Sequence, residues 1–409
     1  MEDLWRSCAP RVLAALLRRY GDFEASEDAL QEAMLAASRQ WRRDGVPDDP
    51  TAWLITVASR RLLDGWRSDR ARAQREDLVA RQTSTREPLS RGADQQPVVD
   101  DSVLLLLLCC HPALPRPAQV ALTLRAVGGL TTAQIARGFL VPEATTAQRI
   151  SRAKARLRQL DTPFTTPPPN ELPQRVEAVT QVLYLIFTEG HSSTSGAGLF
   201  DISLTNEAIR LTRELHHRLP RIPEISGLLA LMLLTDARRA ARTDADGQLI
   251  PLAEQDRTRW DQARIREGAT LIETALPAGP VGPFQLQAAI AAVHSEAAAS
   301  HLTDWPQIEV LYRMLSDIAP SSIVTLNHAV AVAMVHGPRA GLTRIQPLLQ
   351  DRQLRQSHRL FAVRAHLLEL DGQFGAAQRD YAAAARLTNS IPEQRYLNAA
   401  AARLDTAPA

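Results

Sequence analysis

Four things are scarce in this 409-residue chain, and each scarcity excludes something. There are three cysteines, two of them adjacent, which is too few for a disulfide framework and fits a reducing compartment. The longest uninterrupted apolar run, Val103 to Cys110, is less than half of a membrane span, and Met1 is followed by Glu2 and Asp3 rather than by a basic leader. A cytoplasmic location without a membrane partner is expected. Alternating apolar and polar runs of the kind that make strands are missing throughout. Lys154 is the sole lysine among 47 cations, an arginine bias that reads as base composition of the coding sequence rather than as a function.

What is present is a foldable composition, 45% hydrophobic and 22% charged, too long for one ordinary core. The net charge of +2 conceals an asymmetry. Residues 1–160 carry 24 basic and 19 acidic side chains, the remainder 23 and 26, so the front is the nucleic-acid candidate.

Apolar positions recur at helical spacing from the start, at Val12, Leu13, Leu16 and Leu17 and again at Leu30, Met34 and Leu35. A break at Val46 to Pro50 precedes a third helix, Thr51 to about Arg72. From Ala73 to Val99 the chain is polar and aperiodic, a linker. A second unit of about 100–160 ends at Asp161 to Pro173, where five prolines preclude regular helix. The remainder to Leu404 is Ala/Leu-rich. The expected fold class is all-α, divided into residues 1–75, a linker 76–100, a unit 101–160, a Pro-rich linker 161–173 and a helical domain 174–409.

In that last domain small residues fall twelve apart at Ala329 and Gly341, and again at Ala365 and Ala377 thirty-six residues on, near the period of tetratricopeptide units. Leu368, Tyr381 and Ala384 fall at packing positions of the second copy, Val332 and Ile345 at those of the first. A generic Ala-rich bundle is the other reading.

The sharpest local signal is Gly128 to Arg158. A helix begins near Thr131 with Ile135 and Ala136 inward, a tight break follows at Val141–Pro142, and a second helix runs from Glu143 to about Leu157. Proline and glutamate suit that first turn, where a missing N–H costs nothing and a carboxylate meets the positive end of the dipole. Arg149, Arg152, Lys154, Arg156 and Arg158 oppose the single acid Glu143, while Ile150, Ala153 and Leu157 form the inward stripe. This is a helix-turn-helix whose second helix can enter a major groove.

The segment resembles region 4 of RNA polymerase sigma factors of the extracytoplasmic-function type. Their "EIA" is Gln134, Ile135, Ala136 here, and their recognition helix "TV..R..RA...L" is the stretch from Thr145, with Thr146 at the valine position. The resemblance implies minus-35 element contacts by Thr145, Gln148, Arg149, Arg152, Lys154 and Arg156. Ser26 to Trp41 is similar to the core-polymerase-binding helix of sigma region 2, which implies that role for Glu27, Asp28, Gln31 and Glu32. Ala52 to Arg72 resembles the segment that opens the minus-ten element, with Trp53, Arg60, Arg61, Trp66, Arg67 and Arg70 (and Arg72) facing DNA. Arg60 replaces a frequent asparagine, and an arginine cannot accept a hydrogen bond. Unstacking a base costs a few kcal/mol, which aromatic stacking and phosphate neutralisation offset, so tryptophans beside arginines suit that task. Both tryptophans being core is the competing reading.

The resemblance extends through the tail to a sigma subgroup with a tetratricopeptide-like C-terminal extension. It implies a regulatory or interaction module rather than an enzyme, no cofactor or metal, and as partners core RNA polymerase, promoter DNA and a regulatory protein docking on the tail. The alternative is a helix-turn-helix regulator with a helical sensor domain that never joins polymerase. Cys109–Cys110–His111 reads as core rather than a metal site, and Asp244, Asp246 and Gly247 as a polar turn rather than a calcium loop. Glu189 and His191, followed by Ser192 and Ser193, make no complete triad and read as a buried network or an interdomain contact.

Overall fold

The computed structural model describes residues 2–77, 102–139, 141–160, 164–191, 195–196, 202–351 and 354–405, with residue 101 also placed. They are helical almost throughout; the strand pairing among them is a two-residue parallel match of Ser195–Gly196 with Asn389–Ser390, besides a single bridge at Thr243 and Leu249. The chain separates into two compact units, 1–183 and 184–409.

In the first unit α1 (Glu2–Tyr20), α2 (Phe23–Asp44) and α3 (Pro50–Asp77) pack as a trio. Val12, Leu13, Leu16, Leu30, Ala33, Leu54 and Ala58 form its buried seam, as the helical spacing requires. Asp22 caps α2 by accepting from the Ala25 N–H at 3.0 Å. Helix α3 continues to Asp77, into the segment expected to be linker; the rest of that segment, 78–100, lies outside the described residues. Next come α4 (Ser102–Cys109), α5 (Arg116–Ala126), α6 (Thr132–Gly138) and α7 (Glu143–Gln159). Helix α4 is buried on most of its circumference, so Cys109 and Cys110 are core residues, and burial pushes the Cys110 thiol up to about 12.

Helix α8 spans Leu172–His191, and the boundary between the compact units falls inside it rather than at the prolines. Arg116 accounts for part of this. It donates to the Ala178 carbonyl at 3.0 Å and to Gln181, tying the first half of α8 to α5.

The second unit comprises α9 (Ile202–Arg218), α10 (Pro223–Asp236), α11 (Gln262–Ala275), α12 (Pro283–Glu296), α13 (Trp305–Ile318), α14 (Ser322–His336), α15 (Pro338–Ile345), α16 (His358–Leu370), α17 (Phe374–Leu387) and α18 (Ile391–Asp405). Helix α10 is its centre, apolar on every face and packed against α9, α11 and α12. Successive helices pair. At the α14–α15 crossing a side chain on Gly341 would come within 2.6 Å of the Ala333 methyl and 2.7 Å of the Ala329 carbonyl, so only glycine fits. Ala365, Leu368, Ala377, Tyr381 and Ala384 share one cluster across α16, α17 and α18. The small residues spaced twelve apart are therefore the ones that let helices cross closely.

Candidate nucleic-acid interface

Helices α6 and α7 form the helix-turn-helix. Thr131 and Gln134 bond reciprocally: Gln134 Oε1 accepts from the Thr131 N–H at 2.8 Å, and Thr131 Oγ1 accepts from the Gln134 N–H at 3.2 Å. This is a capping box, in which an amide serves as well as the expected acid. Ile135 and Ala136 are buried. Helix α7 opens at Glu143 behind Pro142, whose carbonyl accepts from Thr145 and Thr146.

Thr146, Ile150, Ala153 and Leu157 make the buried face of α7. Thr146, standing where the resemblance places valine, buries its hydroxyl without a hydrogen-bond partner among the described residues. On the opposite face Gln148, Arg152 and Arg156 are exposed, and Thr145 and Arg149 are half-exposed. Five of the six residues expected to read the minus-35 element thus retain accessible surface on one side of one helix.

Lys154 faces elsewhere. Its ammonium pairs with the carboxylate of Glu27 on α2 and lies 5.9 Å from the centre of the Phe23 ring. Glu27 also accepts from Arg125 Nε at 3.1 Å. Its side chain is 7% exposed and that of Lys154 17%, so the cluster is largely closed to solvent. Nearby Arg158 pairs with Glu24 at 2.6 Å, and Arg18 of α1 pairs with the buried Asp101. A residue expected to hold polymerase and one expected to hold DNA therefore neutralise each other across α2 and α7. Periodicity along either helix shows that each charge exists; it cannot show that they meet.

The other candidates for polymerase contact on α2 remain outside. Asp28, Gln31 and Glu32 are exposed; Gln31 donates to Glu27 at 3.2 Å and Glu32 lies 3.9 Å from Arg61. Burial, then the adjacent Glu27, raises the Asp28 carboxyl.

Along α3, Arg60, Arg61 and Arg67 are exposed. Trp53 meets Trp41 edge-on at 5.4 Å, Trp41 stacks on Trp5 at 4.9 Å, and Trp66 meets Tyr20 edge-on at 5.6 Å. Both Trp53 and Trp66 are half-buried, one ring edge in an aromatic contact and the remainder accessible, a state between the core and the wedge reading. The helix backbone at Arg70 and Arg72 is described but their side chains are not.

The acid–base candidate in the second unit resolves into structure. His191 is buried, stacked on Phe187 at 5.3 Å, and its Nε2 accepts from Arg242 Nη1 at 2.6 Å. Burial, then Arg242, Arg238 and Arg239, push its pKa down to about 2, so it is neutral and unable to shuttle protons near pH 7. Ser192 and Ser193 lie outside the described residues. Asp244 folds a turn on itself, accepting from the Asp246 and Gln248 N–H groups at 3.0 and 2.7 Å, with Gly247 at φ +73°. No group of three metal-ligating side chains occurs among the described residues, and no described helix is long and apolar enough to cross a membrane.

Comparison with known proteins follows this geometry. Residues 4–72 match the family model for Sigma-70 region 2, residues 104–157 that for Sigma-70 region 4, and residues 175–276 a family of unknown function, DUF6596. An uncharacterized protein of Rhizobium meliloti is 39% identical over 405 residues, 98% of this chain and 95% of that one. A probable ECF RNA polymerase sigma factor, SigI, of Mycobacterium tuberculosis is 31% identical over 157 residues; the match takes in 38% of this chain and only 53% of that protein. The ECF RNA polymerase sigma factor SigK of a Mycobacterium species (strain KMS) is 31% identical over 152 residues, 34% of this chain and 72% of that one. No solved structure matches. With both sigma modules present in order, and an ECF sigma factor matched over most of its own length, the chain belongs to the sigma-70 family of RNA polymerase sigma factors, of the ECF type.

Proposed function

We propose that this chain is an alternative sigma factor that joins core RNA polymerase, recognises and opens promoter DNA, and is modulated by its C-terminal helical unit. The observation that carries the reading is the pair of DNA-reading modules in sigma order, residues 4–72 and 104–157, the second presenting Gln148, Arg149, Arg152 and Arg156 on an accessible face. An arginine fork suits both guanine edges and phosphates, and the helix N-terminus brings Thr145 and Gln148 to the groove first. The tail acts as a tetratricopeptide-like module that docks a regulatory protein; its paired helices and the close Gly341 crossing support that reading.

The Glu27–Lys154 pair adds a condition. Polymerase contact at Glu27 and DNA contact at Lys154 both require α2 and α7 to part, so the described arrangement is a resting one. The regulator that never joins polymerase leaves the region 2 match without a task.

The test is assembly and transcription. The purified full-length chain is mixed with core polymerase lacking its own sigma and assayed by pull-down and by RNA synthesis on genomic promoter fragments. The reading expects a stable complex and initiation at a defined set of sites; no complex, or a complex that starts no RNA, overturns it. Truncation within 161–173 removes the half of α8 that packs on α5, so a truncation to test the tail is better made after His191.

A further inference from the structure

The second unit holds a run of arginines after α10, and two consecutive ones meet different fates. Arg239 pairs with Asp236 at 2.6 Å, and Arg264 completes that carboxylate's shell. Arg238 has neither a carboxylate nor a hydrogen-bond acceptor among the described residues; the cation nearest to it electrostatically is Arg257. Arg238 lines a cavity of about 250 Å³ with Leu231, Ile290, Gln287, His294 and Tyr312. No acid lines that cavity.

Each neighbour sharpens the same polarity. Arg257 donates to the carbonyls of His294 and Ala297 at 2.5 and 2.7 Å and lies over Trp260 at 4.5 Å, so it neutralises the end of α12 without a counter-anion. His294 packs edge-on against Trp305 at 5.2 Å, and burial, then Arg238 and Arg257, push its pKa down to about 4, leaving a neutral ring. Burial pushes the Tyr312 hydroxyl up to about 12, keeping it a donor. Desolvation lowers Arg238 itself to about 10, the mark of a cation that lacks a compensating charge. Leaving a half-buried cation without a counter-charge is unfavourable.

We propose that this cavity is a binding site for a small oxyanion, a carboxylate- or phosphate-bearing molecule gripped by Arg238 and oriented by Tyr312, Gln287 and His294. A guanidinium fork matches both head groups bidentately, and the Leu231 and Ile290 walls accept a short apolar body. The volume lies just under the range of about 300–1,000 Å³ usual for drug-sized ligands, which favours a small molecule over a polypeptide segment. The site needs no polymerase and stands apart from the sigma reading.

Calorimetric titration of the full-length chain tests it, using sodium phosphate and sodium propionate, with sodium chloride at matched ionic strength and propionamide as the uncharged control. Expected is saturable binding of phosphate, propionate or both, absent with chloride and propionamide. Arg238→Gln is expected to weaken it at least tenfold, and Ala291→Leu, which fills the cavity from α12 and leaves the arginine in place, to abolish it. Response to phosphate alone or to propionate alone assigns the head group. The proposal fails if neither anion binds beyond chloride, or if Arg238→Gln binds as the parent does. Should Arg238→Gln not fold, as judged by circular dichroism, Ala291→Leu and Arg238→Lys decide: unaltered binding in Ala291→Leu overturns the site.

Discussion

One charge cluster in each unit is handled in an opposite way. In the first, Glu27 is enclosed by Lys154 and Arg125, with Arg158–Glu24 and Arg18–Asp101 alongside, so two residues proposed to serve outside partners, Glu27 and Lys154, are satisfied from within. In the second, Arg238 and Arg257 share a neighbourhood with neutral His294, and neither has a carboxylate among the described residues. The lesson is that an internally paired charge must be released before it can serve a partner, whereas an unpaired one stands ready for a ligand.

The largest expected effect comes from breaking the paired side. Glu27→Ala leaves Lys154 and Arg125 facing each other with little solvent, and should cost about 3–5 kcal/mol, read as a lower denaturant midpoint for the first unit. A cost below about 1 kcal/mol would mean that the cluster is effectively surface-exposed.

Next in size, Arg149→Glu and Arg152→Glu should each weaken promoter binding by about 1–3 kcal/mol at constant salt while leaving core association unchanged. Equal loss of both activities in filter binding and pull-down would break the division between α7 and α2.

The unpaired side predicts a pH response. The folded-state pKa of His294, about 4, is depressed below the ordinary 6.5, so its contribution is complete above pH 6.5 and is lost as pH falls through about 4. Burial raises Glu224, which accepts from the Phe284 and Gln285 N–H groups, to about 7, and its contribution has the opposite sense: present below about 4.5 and lost as pH rises through 7. His294→Asn isolates the histidine part. Thermal melts should show the parent losing on the order of 2 kcal/mol more than this variant between pH 6.5 and 4.

The smallest effect concerns a lone hydroxyl. Thr146→Val replaces a buried, unpartnered oxygen with a methyl of similar shape and should raise stability by about 0.5–1 kcal/mol in a denaturant titration. A loss instead would show that the Thr146 hydroxyl has found a partner.

Much of the architecture was legible without coordinates. The starts of α6 near Thr131 and of α7 behind Pro142 were legible, because a helix start is a property of three or four adjacent residues, whereas the caps at Asp22 and at Thr131 with Gln134 came from the structure. The inward stripes of α6 and α7 followed from period alone, and so did the outward placement of Arg152 and Arg156. The full extent of α3 was not legible, since its last turns are polar and carry no apolar signal.

Sequence by itself determined the all-α class and the helix-turn-helix with its basic outer face, both consequences of short-range periodicity and capping, while the resemblance of its motifs to a known family supplied the order of the two sigma modules. Only the tertiary structure decided that Glu27 meets Lys154 across more than a hundred residues, that α8 divides between the two compact units, and that Arg238 is left without the acid its neighbour Arg239 has. Those outcomes depend on which helix faces pack together, and a one-dimensional pattern records a charge without recording what stands opposite it.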